Sequence, residues 1–502
     1  MSLLLTFDIG TTAVKTCLFD ETLRLAAIAN DEYRLETPAS GHVELDAERY
    51  WQAVCHGIDT VLEKSGCTPS SIAALCATTQ GETLIPIGKD GSALHRAIVW
   101  LDARAEHEAA QLEALCGRDV FYLETGLGEI SGNLPLAKLM WLKTHEPEIY
   151  AQTEKFLLLE DYLIYRLTGA FYTEKSLSCS TGWFSLRQDG VWEEILRQTG
   201  VDAQKLPEML EPGTIVPAEV LPSVRARFGF ADGVCVVAGA MDQTAGAVGA
   251  GNLAPGSVTE TTGTALCLAS VMDTLRLDAS MRVTVYRNVR RGSYLMLPYC
   301  MTAGMLLKWF KDQFCAEETR AARASGESVY ALLDKAAETV APGCGGLIAL
   351  PYLAGSSLPH SNPRARGVFF GVGLETTKAH FIRAILEAVA FMLRENLELL
   401  ERAGGTPVTQ ICSLGGGAGS RLWLQIKADV TNRPIAVPAQ RESTSLGAAM
   451  LAAAAIGQYS SLESAAAQCA QGTTWIYPQA ERHYDAVYEK YCRLLTRLDD
   501  LF

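Results

Sequence analysis

Asp242 follows a short β-branched run, Val234-Cys235-Val236-Val237-Ala238, and precedes the small residues Ala245-Gly246-Ala247. A carboxylate at such a junction leaves the carboxyl edge of a sheet, where open α/β sheets keep their ligands, and points into the crevice above. The plainer reading is a helix cap, since Asp is a preferred N-cap residue. Asp8-Ile9-Gly10-Thr11-Thr12 offers a different chemistry. Gly10 allows a close turn, backbone N–H groups and the Thr11 and Thr12 hydroxyls can bond phosphate oxygens, and Asp8 could hold Mg²⁺ through water. Ordinary hairpin turns use the same residue types without a ligand. Gln80 and Glu82 stand in Thr79-Gln80-Gly81-Glu82-Thr83, at the end of another apolar run, and read either as cleft residues or as a solvated turn. Trp100, Asp102 and Arg104 emerge within five residues. That mixture can stack on the C–H face of a polyhydroxylated ligand and bond its hydroxyls, or it can form a structural ion pair.

Two further loops could cradle phosphate. Ser257 to Leu268 reads as strand, Thr262-Gly263-Thr264 turn and strand, echoing Asp8 to Phe19, which raises the hypothesis that the halves are two copies of one unit. Gln410 to Leu414 reads as a strand running into Gly415-Gly416-Gly417-Ala418, where consecutive glycines let backbone lie flat beside a ring or a phosphate chain.

The elements that must position these residues follow from periodicity. Leu3 to Phe7, Val14 to Phe19, Ala26 to Arg34 and Ile72 to Thr78 read as strands, and Val234 to Ala238 as a buried one. Asp46 caps a helix carrying Tyr50, Trp51, Val54, Ile58, Val61 and Leu62 at helical spacing. Ala105 to Cys116, a segment with Pro135 near its start, Leu157 to Leu167 and Ala384 to Glu401 read as further helices. The small residues after Asp242 predict a helix whose thin face admits other backbone.

A chain of 502 residues exceeds what one core sustains, so two domains are expected, cut here at 1–250 and 251–502. Net charge of −14 without a Lys/Arg run argues against nucleic acid or an anionic membrane as partner. The fourteen cysteines contain no C-x-x-C, and their closest pair is Cys67 and Cys76, which speaks against zinc and disulfides and for a reducing, cytoplasmic setting. The start, Met1 to Asp8, lacks a basic region and meets an acid early, so no signal peptide is expected. No apolar run is long enough to span a bilayer.

The chain resembles the FGGY family of carbohydrate kinases from Asp8 to about Gly457. One family signature is matched around Pro135, Lys138 and Trp141; the other over Gly367-Val368-Phe369-Phe370-Gly371-Val372, then His380-Phe381 and Ala384-Ile385-Leu386-Glu387. The resemblance implies two actin-like ATPase (ribonuclease H-like) domains flanking a deep catalytic cleft, with sugar mainly on the first and ATP on the second. It implies Asp242 as catalytic base, Asp8 to Thr12 as first phosphate and metal loop with Lys15 on the next strand, and Thr262-Gly263-Thr264 as second phosphate loop. Gly415-Gly416-Gly417-Ala418 would then face adenosine, and Gln80, Glu82, Trp100, Asp102, Arg104, Asp242 and Gln243 the sugar. ATP and Mg²⁺ are the implied cofactors, and a homodimer is an assembly the family suggests.

Substrate is less legible. Members resembling xylulokinase carry Gln-Met-His-Gly where this chain has Thr78-Thr79-Gln80-Gly81, whereas glycerol-kinase-like members carry Asn-Gln-Arg-Glu-Thr, matched here at Gln80, Glu82 and Thr83. Gly81 in place of that Arg is expected to widen the pocket and remove a charged donor. Asp242-Gln243 follows the glycerol-kinase pattern; Trp100-x-Asp102-x-Arg104 and Pro351-Tyr352-Leu353-Ala354-Gly355 look xylulokinase-like, with Ser356-Ser357-Leu358 in place of Glu-Arg-Thr. The expectation is a ketopentose, with a polyol of glycerol or erythritol type as alternative. Two other classes are expected less: an actin/Hsp70-like ATPase, for which the sequence offers no β-rich peptide-binding domain after Ala480, and a sugar-sensing regulator, for which it offers no basic helix-turn-helix ahead of Asp8.

Overall fold

A computed structural model describes residues 2–356, 358–479 and 484–502; Met1, Ser357 and Ala480 lie outside them. The chain divides into two units: Met1–Leu253 with Asp273–Leu295 and Glu442–Gln471, and Ala254–Met272 with Met296–Arg441 and Gly472–Phe502. Two segments of the C-terminal half thus pack with the first unit, which a cut at residue 250 does not convey.

In the first unit, β1 (Leu3–Ile9), β2 (Ala13–Phe19), β3 (Leu25–Glu32), β4 (Ile72–Thr79) and β5 (Cys235–Met241) form a sheet in the order β5-β4-β1-β2-β3. β1 runs antiparallel to β2 and parallel to β4, and β4 parallel to β5, with Asp8 opposite Thr78 and Thr78 opposite Ala240. Consequently the carboxyl ends of β1, β4 and β5 lie in one row, and the residues that follow them emerge together.

Both faces of this sheet are covered, which is why its strands read as near-continuous apolar runs. On one face Leu5, Phe7, Ile9, Leu75 and Val236 pack with Tyr50, Val54, Ile58 and Val61 of the helix Ala47–Ser65. Asp46 caps that helix, accepting the Glu48 amide at 3.0 Å. On the other, Leu4, Cys17, Phe19, Cys76 and Val237 meet the helices Asp242–Gly249 and Ser443–Ala455. These two helices cross on glycine: a Cβ on Gly249 would lie 1.8 Å from the Ser443 carbonyl oxygen, and one on Gly447 1.9 Å from that of Ala245. The thin face expected after Asp242 therefore has its partner 200 residues downstream in the alanine-rich helix.

In the second unit, β6 (Ser257–Thr262), β7 (Leu266–Met272), β8 (Gln410–Leu414), β9 (Ile435–Val437) and β10 (Thr474–Ile476) run in the order β7-β6-β8-β9-β10. β6 is antiparallel to β7 and parallel to β8, the arrangement of β1 with β2 and β4. The 27-residue helix Lys378–Gly404 packs beside Arg421–Thr431, with the Trp423 indole donating to the Leu386 carbonyl at 3.0 Å. Several signature residues are structural here. Val368–Phe370 pairs with Ile348–Leu350, the His380 ring accepts the Thr377 amide at the helix start, and Glu387 gathers Arg383, Tyr484 and the Gly343 amide. All fourteen thiols are free, and among the described residues no helix is long and apolar enough to cross a membrane.

Candidate active site

Asp242 opens its helix one residue inside the cap position, which Met241 holds. Its Oδ1 accepts the Gln243 amide at 2.6 Å. Burial, and next the Asp8 charge, push its carboxyl up to about 7, with Glu82 adding to the rise. Asp8, in the same row of strand ends, is raised to about 6 by burial, opposed by Lys15 and reinforced by Glu442. Carboxyl groups whose environments raise them in this way mark a place where a proton or a cation is wanted.

The turn after β1 is held from outside. Gly10 N–H donates to Ala13 O at 3.0 Å, the Tyr33 hydroxyl donates to Gly10 O, and the Trp100 indole donates to Thr11 Oγ1 at 2.9 Å. Thr12 is exposed. Lys15 pairs with Glu442 at 2.8 Å; burial works against its charge, but Glu442 outweighs it and the ammonium is stabilised. Nothing in the sequence pairs residues 427 apart.

Gln80 is buried, donates from Nε2 to Thr83 Oγ1 at 3.0 Å, and leaves Oε1 without a partner, with Tyr50 nearby. Glu82 sits at φ 55°, in the left-handed region that non-glycine residues seldom occupy, as residues held at active sites often do. Its carbonyl and that of Val99 each accept from Lys138 Nζ at 3.0 Å. Burial drives this pair toward neutrality from both sides, raising Glu82 and lowering Lys138. The signature lysine is thereby committed to backbone beneath the site. The space beside Gly81 is not wider: a Cβ there would lie 2.9 Å from Ser180 Oγ, so the serine hydroxyl and, beyond it, Met241 occupy it.

Asp102 and Arg104 depart from the sugar-contact expectation. Asp102 is wholly buried, receiving Arg104 Nε at 2.8 Å and Nη2 at 2.7 Å, and the Val43 amide at 2.5 Å. Burial penalises its charge, but the Arg104 hydrogen bonds outweigh that and hold the carboxyl low. Arg104 also bonds Glu44 at 2.6 Å and lies 5.0 Å over the Trp141 ring. This is the ion-pair reading, and it was hidden because Glu44 lies sixty residues upstream. Trp100, by contrast, is half-buried and reaches the phosphate-type turn through Thr11, and Gln243 is half-buried beside the acid. Sequence reasoning missed Tyr286, from the segment Asp273–Leu295. Burial holds its hydroxyl protonated, with the Glu82 and Asp242 carboxyls adding to the effect.

In the second unit a cavity of about 730 Å³ is walled by Thr262, Gly263, Thr264, Gly416, Gly417 and by Tyr330 and Trp423. That volume suits a nucleotide-sized ligand. Gly415 stands at φ +74°, and a Cβ on Gly417 would lie 2.8 Å from Thr262 Cβ, so the glycine loop packs directly on the threonine hairpin. Gly415 and Ala418 form the turn behind the wall, joined by an Ala418 N–H to Gly415 O bond of 3.2 Å. Beneath lies a locked network: Lys427 Nζ donates to Glu260 at 2.7 Å and Thr262 Oγ1 at 2.8 Å, and the Thr262 and Ser413 hydroxyls donate to Glu260. Met305, Lys308 and Asp334 also line the cavity. On helices of ordinary periodicity, such residues carry no sequence signal.

Among the described residues no three His, Cys, Asp or Glu side chains group as a metal site. Mg²⁺ needs less, since it keeps several waters and takes one or two carboxylates plus substrate phosphates. Asp8, half-buried and poorly compensated, fits that lesser demand.

The FGGY family of carbohydrate kinases matches through its N-terminal domain over residues 3–249 and its C-terminal domain over 259–456. A xylulose kinase of Bacillus subtilis (strain 168) is 30% identical over 503 residues, covering 100% of this chain and 98% of that one. A gluconokinase of the same organism is 30% identical over 464 residues, 92% and 89% of the two chains. Ligand-bound xylulose kinase from Lactobacillus acidophilus superposes with a TM-score of 0.89 at 25% identity over 99% of this chain and 98% of that one. Glycerol kinase with ADP from Plasmodium falciparum gives 0.88 at 21% identity over 100% and 98%, a likeness of fold. The two-domain α/β fold is thus of the actin-like type expected, and the chain belongs to the FGGY family of carbohydrate kinases.

Proposed function

We propose that this kinase transfers the γ-phosphoryl group of MgATP to a hydroxyl of a ketopentose such as xylulose, with Asp242 as general base. The observation that carries the reading is the Asp242 carboxyl, raised to about 7 by burial at the end of β5 beside Asp8. A base poised near the working pH combines a useful ionised fraction with proton affinity. In the step, Asp242 takes the proton of the acceptor hydroxyl, the oxygen bonds to the γ-phosphorus, and the bond to the ADP oxygen breaks. Protein catalysis of such transfer is mainly alignment and charge stabilisation.

Gln80, Glu82, Trp100 and Gln243 orient the acceptor, while Asp102 and Arg104 act by holding their own loop. Thr262, Gly263 and Thr264 with Gly415, Gly416, Gly417 and Ala418 receive the nucleotide, and Gly10, Thr11, Thr12 and Lys15 its terminal phosphate. When bound, Mg²⁺ supplies charge neutralisation at the phosphate, and Asp8 would hold it. The ketopentose reading draws on the two xylulose kinases among the relatives and on Trp100. A polyol reading draws on Gln80, Glu82, Thr83 and Asp242-Gln243, which follow the glycerol-kinase pattern. A panel of ketoses and polyols with MgATP tests this: turnover of D-xylulose above all others supports the first reading, turnover of a polyol alone replaces it. The proposal extends to a cytoplasmic homodimer, checked by sedimentation and fractionation.

A further inference from the structure

β5 does not run straight into Asp242. Its register against β4 slips between Val237 and Ala240, a bulge that places Gly239 against the sheet so closely that a Cβ would lie 1.7 Å from the Ala77 carbonyl oxygen. Bulges beside active sites re-aim the side chain that follows. The amides of Gly239 and Met241, on either side of Ala240, donate to side chains: Gly239 N–H to Glu160 Oε1 at 2.7 Å, Met241 N–H to Ser176 Oγ at 3.1 Å. Ser176 in turn donates to Glu174 Oε1 at 2.8 Å, which leaves its lone pair for Met241. Glu174 is itself fixed by the Ser176 and Leu177 amides. Glu160, Glu174 and Ser176 are fully buried.

We propose that Glu160 and Ser176 are positioning residues for the phosphoryl transfer: by taking up one amide inside the bulge and one just after it they set the direction in which Asp242 leaves the strand. Neither touches the acceptor. An acid is an unusual choice for one acceptor atom, yet burial and the Glu174 charge push Glu160 well above the usual carboxylate range, so it serves as a neutral acceptor and a glutamine can replace it. Its second oxygen has no hydrogen-bond partner, so an amide NH₂ in its place breaks no bond. The inference rests on Asp242 being the base.

The test is steady-state kinetics of Glu160→Ala, Glu160→Gln and Ser176→Ala with D-xylulose, or with whichever sugar of the panel is turned over, and MgATP. Misplacement by about 1 Å can cost roughly 100-fold in rate. We expect Glu160→Ala to lose about 10- to 100-fold in kcat and Ser176→Ala about 10-fold, with both KM values within about threefold and the circular-dichroism spectrum unchanged. Glu160→Gln should restore kcat to within about threefold. Wild-type kcat in both alanine variants, a loss confined to KM, or a glutamine variant as poor as the alanine would each overturn the positioning role. Should Glu160→Ala not fold, Ser176→Ala decides. If Asp242→Ala keeps its turnover, the proposed base falls and the positioning role with it; if Asp242→Ala is inactive and Ser176→Ala and Glu160→Ala are normal, only the positioning role falls.

Discussion

The hairpins β1-β2 and β6-β7 have the same neighbours, each with its first strand parallel to a third, yet the acids on those first strands live under opposite conditions. Glu260 is fully buried and bonded to Lys427, Thr262 and Ser413, so its charge is spent inside the fold. What the second hairpin presents to the cavity is the uncharged Thr262-Gly263-Thr264 turn, whose backbone N–H groups suit an anion. Asp8 faces Lys15, which Glu442 draws off, and it stands with Asp242 among carboxyls raised by burial. The first hairpin therefore presents unbalanced acid. One strand plan serves two chemistries according to where the nearest lysine is committed.

Five substitutions and a change of pH sharpen this contrast. Lys427→Met should be the most damaging, because an uncompensated Glu260 is left buried; about 3–5 kcal/mol of stability is expected to go, read by urea unfolding, whereas Asp8→Asn should cost no stability and still lose activity. Equal stability losses in Lys427→Met and Asp8→Asn would erase the distinction. Next, Gly417→Ala places a Cβ 2.8 Å from Thr262 Cβ and should raise the KM for ATP by about 10- to 100-fold, in line with a cost of about 1–3 kcal/mol for overpacking, with the KM for sugar unmoved.

The pH response separates activity from stability. With Asp242 raised to about 7, kcat/KM should climb with pH and level off above about 7, since the base must be ionised. Stability must move the other way: between its unfolded value of roughly 4 and the folded one the native state binds more protons, so this group's contribution is full in acid and lost as pH rises. Asp242→Asn should flatten both curves, and a rate independent of pH from 5.5 to 8 in the wild type would refute the assignment. Smallest is Thr11→Val, which strips the acceptor from the Trp100 indole; a rise of about threefold in sugar KM, read in initial rates, is expected because the ring is only half-buried.

Local patterns made much of this legible. The hairpins, the Asp46 cap, the thin helix after Asp242 and the glycine loop are all encoded within a few residues, where periodicity and turn chemistry speak directly. What escaped is whatever depends on a distant partner. Asp102 and Arg104 look alike as ligands or as an ion pair until Glu44 arrives, and Gly81 looks spacious until Ser180 fills the gap. Lys15 and Glu442, or Gly249 and Ser443, meet only because the segment Glu442–Gln471 returns to the first unit. Tyr286 belongs to the same class, since no residue near it in sequence announces that its hydroxyl comes within the electrostatic influence of Glu82 and Asp242.

The most direct measurement pairs calorimetric titration of the sugar with single-turnover phosphorylation in Asp242→Asn. Undiminished sugar affinity with phosphoryl transfer slowed by about 10²- to 10⁴-fold is the outcome expected of a lost general base. Near-normal transfer with intact binding would remove Asp242 from the chemistry.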